Sequence, residues 1–224
     1  MKIARLAARV AVGAMATALA TTAVAVPAAQ ATGKPKPLGT KSLAQVLTKD
    51  RRGFDHNSRD FDVLTAAVLA VLEAKPNSPV KVLTDGTVAL TAFIPNDAAF
   101  QQLVREITDA RKLPSESAAF TAVAGLGIDT VETVLLYHVV PGATIDHMAA
   151  VKADGAQLTT ALGPTVEVDV RTYWHYFRQV RLIDADADAD TDDRDARVVA
   201  FDVNKGNRQI AHAVDRVLRP IDLP

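Results

Sequence analysis

Residues 88–100 read VALTAFIPNDAAF, and this stretch decides the fold. Val88 to Ile94 is apolar at both alternating sets of positions, the mark of a strand covered on two faces. Pro95 ends it, and Asn96 or Asp97 can accept the first free N–H groups of a helix. Phe100, Leu103, Val104 and Ile107 then recur at helical spacing and form one apolar stripe. A central strand therefore feeds directly into an amphipathic helix.

Outward from there, the upstream side reads as helix. Phe61, Leu64, Val68, Val71 and Leu72 share a face, with Ser58 or Asp60 as N-cap, and Pro76 and Pro79 end the run. Thr84-Asp85-Gly86-Thr87 is a turn. Downstream, Ser115 to Ala124 is a helix stopped by Gly125. Asp129 and Glu132 have capping-box spacing for a third, whose stripe is Val131, Val134, Leu135 and His138. Past Pro141-Gly142 the pattern turns to strands: 165–171 with alternating valines, then 180–183, 198–203 and 210–218. Helices with one early strand, then a run of strands, define an α+β domain.

The N-terminus has a different character. Lys2, Arg5 and Arg9 precede an uncharged Ala/Val/Thr-rich stretch from Val10 to Val26, and Ala29-Gln30-Ala31 is a small-x-small cleavage site. Residues 1–31 are expected to be a secretory signal peptide, 32–58 a Pro/Gly/Lys linker and N-terminal arm, and 59–224 the folded domain. No later stretch is long and apolar enough to span a bilayer. The whole chain has 25 basic and 26 acidic residues. Taking three basic side chains away with the signal leaves 22 against 26, or −4, which disfavours nucleic-acid binding. There is no cysteine, so disulfides, thiolate metal sites and a cysteine nucleophile are excluded.

Three segments in order carry a family resemblance: 91–100 (TAFIPNDAAF), 135–142 (LLYHVVPG) and 210–220 (IAHAVDRVLRP). Together they resemble the first signature block, the Tyr-His motif and the final block of a fasciclin domain. The resemblance implies a β-wedge of mainly antiparallel strands with helices packed against it. It also implies an extracellular adhesion role without catalysis, and a hydrogen bond between Asp97 and His138. The Tyr-His motif would make Tyr137 and His138 partner-binding candidates. Where the family usually carries Asn-Gly before the last block, this chain has Arg208-Gln209, with Asn204, Gly206 and Asn207 just upstream.

Two further features are independent of the resemblance. Tyr173, Trp174, Tyr176 and Phe177 are four of eleven aromatics, gathered in five residues. On an alternating strand one face packs inward, and the other, with Trp174 and Tyr176, can meet a protein or glycan. Asp184, Asp186, Asp188 and Asp195 occupy positions one, three, five and twelve of a calcium loop. Ala189 replaces the glycine that such a loop needs at position six, so any calcium binding there is expected to be weak. No HExxH, G-x-S-x-G or phosphate-loop motif is present. The expectation is a secreted, extracellular, monomeric interaction module without a cofactor. The alternatives are an exported hydrolase with an unrecognised carboxylate/His site and a calcium-dependent surface module built on the Asp run.

Overall fold

The computed structural model describes residues 37–174, 177–184 and 194–220. The helical half contains α1 (Leu43–Leu47), α2 (Asp62–Ala74), a 3₁₀ turn (Pro79–Thr84), α3 (Asp97–Ile107), α4 (Glu116–Gly125), α5 (Ile128–Tyr137) and the single turn α6 (His147–Ala150). Their starts follow local chemistry. Ser42 and Gln45 exchange hydrogen bonds in a capping box on α1. Asn96 caps α3 and Ser115 caps α4, each accepting from the third residue onward. The capping box expected at Asp129 does not form. Gly127, at φ 90°, precedes α5, and Asp129 and Glu132 instead flank the Lys75 ammonium at the end of α2.

The strands β1 (Leu90–Pro95), β2 (Val139–Pro141), β3 (Gln157–Thr159), β4 (Thr165–Tyr173), β5 (Phe177–Ile183), β6 (Ala196–Val203) and β7 (Gln209–Val214) form one sheet ordered β2-β1-β7-β6-β5-β4-β3. Every pairing is antiparallel except β1 with β7. The Ala161 N–H, in the turn after β3, donates to Val139 O at 2.7 Å, so the two ends of the sheet come back together as a nearly closed wedge. Leu90, Ala92 and Ile94 of β1 pack with the helices, whereas Phe93 faces a second core with Val166, Val168, Val180 and Leu182. This two-sided covering is why β1 shows no polar alternation. The architecture is α+β.

Residues 39–47, placed by the sequence in the arm before the domain, join the same core. Leu43 and Leu47 are buried there, and Gly39 bridges Asn207. Gln209 completes the attachment: its Oε1 accepts the Leu43 N–H at 2.7 Å, and its Nε2 donates to Val82 O and Asp85 O at 2.8 Å each. The turn before β7 is rebuilt around Asn204 and Gly206, both at positive φ. Asn204 Nδ2 donates to Lys41 O and Gln209 O.

Candidate functional site

The expected Asp97–His138 hydrogen bond is not made. His138 is buried at the C-terminus of α5, where Nδ1 meets Val134 O at 2.7 Å and Nε2 accepts the Leu218 N–H at 2.9 Å. These partners assign a neutral ring with the proton on Nδ1. Burial pushes the imidazole down to about 4. Asp97 instead serves the backbone of α2, where its two oxygens accept the Asp62 and Val63 N–H groups at 3.1 and 2.9 Å. It thus caps α2 from the start of α3, the role expected of Ser58 or Asp60. Tyr137 is also not a surface residue. It is fully buried, and its hydroxyl donates to Thr165 O at 2.9 Å. Tyr137 lies off the stripe of α5 but packs into the second core with Val140 of β2 and Val166 of β4. Neither Tyr137 nor His138 is presented to a partner.

Asp97 belongs to a set of acids invisible in the sequence as a group. Asp55, Asp60 and Asp62 come from the segment leading into α2, and Glu116 is the first residue of α4. One carboxylate oxygen from each of Asp60, Asp62 and Asp97 lies within 4.8 Å of the other two, and the same holds for Asp55, Asp62 and Glu116. Burial, then the neighbouring acids, push Asp62 up to about 6. Burial and the Asp60 carboxyl also raise Asp97. The signal in the sequence is the density of Asp between 50 and 62. Glu116 carries no such signal, because the fold alone brings it there.

The aromatic segment forms the β4–β5 hairpin. Trp174 is 87% exposed at its tip, with φ at 51°. Tyr173 and Phe177 are also exposed, with ring centroids 6.4 Å apart. Tyr176 lies outside the described residues. Phe177 continues into an open groove that includes the exposed Met148 and Val199, with Lys152, Arg178 and Arg197 at its border. In the acidic run, Asp186 and Asp188 lie outside the described residues. Asp184 accepts the Arg219 N–H at 2.7 Å, and Asp195 pairs with Arg181 at 3.4 Å. His212 is fully buried between Ile145 O and the Asp202 N–H, and acts as a sheet-packing residue.

The Fasciclin domain model matches residues 64–220, most of the chain, and the protein belongs to that family of cell-adhesion modules. No curated protein matches it. Among solved structures it is similar to the FAS1 domain pair from the insect cell adhesion molecule Fasciclin I. The TM-score is 0.49 and the identity 14%, over 81% of this chain and 51% of that one. The chain thus spans about half the length of that structure. Among the described residues, no single helix is long and apolar enough to cross a membrane.

Proposed function

We propose that the protein is a secreted, non-enzymatic adhesion module of fasciclin type, which binds a protein or glycan partner at the cell surface or in the matrix through the β4–β5 hairpin. One observation carries the reading: Trp174, the single tryptophan, stands 87% exposed at a positive φ. A bulky residue in that backbone region is disfavoured, and exposure gives it no packing in return. Tyr173, Phe177, Met148 and Val199 extend the apolar surface from the tip into the groove. Aromatic anchors bordered by cationic side chains suit a protein or glycan surface.

The test uses immobilised protein challenged with cell-envelope and matrix fractions. Trp174→Ala is expected to keep the wild-type melting temperature and lose retention of the bound component. Equal retention by the variant would sink the assignment of the hairpin.

A further inference from the structure

We propose that the acids gathered at the starts of α2 and α4 form a site for one hard divalent cation of the calcium type, centred on Asp62. The Asp62 side chain is 8% exposed, and among the described residues no hydrogen bond reaches its buried Oδ2. Glu116 is 2% exposed; its Oε2 accepts the His56 N–H at 3.0 Å, and its Oε1 has no donor among the described residues. Asp60 contributes a further buried oxygen, Oδ1, in the same condition. Buried carboxylates are hydrogen-bonded, paired, bound to a metal or neutralised by a proton. Here two buried ones, Asp62 and Glu116, meet in one triplet with an open oxygen each, and the half-buried Asp60 meets Asp62 in the other.

The available counter-charge is small. Arg52 pairs with Asp55 at 3.0 Å and with Asp50 at 2.9 Å, on the exposed side of the group. Among the described residues, no other ion pair involves Asp55, Asp60, Asp62, Asp97 or Glu116. The donor set is all oxygen, which selects a hard cation over zinc or copper. Oxygens bound to one calcium at about 2.3–2.6 Å stand at most about 5 Å apart. The 4.8 Å limit within each acid triplet meets that requirement. Asp62 belongs to both triplets and is the central ligand. Glu116 and Asp55 make up one triplet with it, Asp60 and Asp97 the other. None of these residues lies in the acidic run 184–195, and the site is independent of the hairpin surface.

Calorimetric titration with calcium chloride and thermal melting, on chelator-treated protein at neutral pH, test the proposal. Wild type is expected to bind calcium at one site with a rise in melting temperature. Asp62→Asn and Glu116→Gln should each weaken affinity at least about tenfold, as loss of metal-site residues does. Asp186→Asn combined with Asp188→Asn should leave it unchanged. Without calcium, Asp62→Asn should melt above wild type, because it removes an unpaired buried charge; with calcium the order should reverse. Three results would overturn the site. One is no response of wild type to calcium up to about 10 mM, well above the range of weak extracellular modules. Another is binding that survives both Asp62→Asn and Glu116→Gln. The third is binding lost only in the Asp186/Asp188 variant. A calcium-blind wild type beside a higher-melting Asp62→Asn would mean that shared protons, not a cation, neutralise the group.

Discussion

Replacing His138 by Ala should destabilise the domain in a way that vanishes with acid. At neutral pH the ring accepts the Leu218 N–H and donates to Val134 O. Removing it strands a buried N–H, worth about 1–3 kcal/mol, and leaves a small void besides. The expected loss at pH 7.5 is about 2–4 kcal/mol. Protonation changes the comparison. A proton on Nε2 would replace the acceptor facing Leu218 with a donor, and burial already holds the ring down to about 4 from 6.5. The unfolded chain therefore takes up the proton first. The penalty on wild type sets in as pH falls below 6.5 and is complete near 4. At about 1.4 kcal/mol per unit it reaches about 3 kcal/mol in all.

Asp62 and Asp97 act with the opposite sign. Their raised values let the folded state bind protons first, so they favour the fold as pH falls. These contributions, and that of His212, are common to wild type and variant and cancel in the difference. Urea unfolding followed by circular dichroism at steps from pH 7.5 to 4 would measure the gap. It should close to near zero at the acid end. A gap constant across that range would refute the neutral, doubly bonded imidazole.

Gln209→Leu should cost about 3–5 kcal/mol, since it leaves the Leu43 N–H and the carbonyls of Val82 and Asp85 without their shared partner; denaturant titration checks this, and a loss under about 1 kcal/mol would deny Gln209 its anchoring role. Gly86→Ala should cost more than about 2 kcal/mol, because a Cβ there would stand 1.8 Å from Thr40 O and force the segment before α1 away. Wild-type stability in that variant would mean that residues 40–42 are not fixed against the turn. Trp174→Ala should change stability by no more than about 0.5 kcal/mol, and Trp174→Gly should match or exceed wild type by relieving the positive φ; a clear loss in both would place the indole in a packed interface.

Periodicity and caps carry what is legible in the sequence. The step from β1 to α3 is visible because Ile94-Pro95-Asn96-Asp97 joins a two-faced apolar strand to a capped helix without a loop. The stripe of α5 places His138 indoors for the same reason. Spacing along one element says nothing of what lies across from it, and there the sequence misleads. Asp97 and His138 each find backbone partners contributed by other segments: α2 for the acid, the chain after β7 for the imidazole. Tyr137 lies off the stripe and reads as a surface candidate, but a nearly closed sheet covers a helix on more than one side. β2 and β3, at three residues each, are too short for alternation to register. Gln209 stands out only as a departure from Asn-Gly, yet one of its hydrogen bonds holds α1 to the sheet and two more hold the end of the 3₁₀ turn. The acid group follows the same logic. Asp55, Asp60 and Asp62 are neighbours in sequence and look like an ordinary solvated loop, until Glu116, far along the chain, joins Asp55 and Asp62, and Asp97 joins Asp60 and Asp62. Buried, unpaired charge is a property of the assembled fold, which is why it marks a site that no local motif announces.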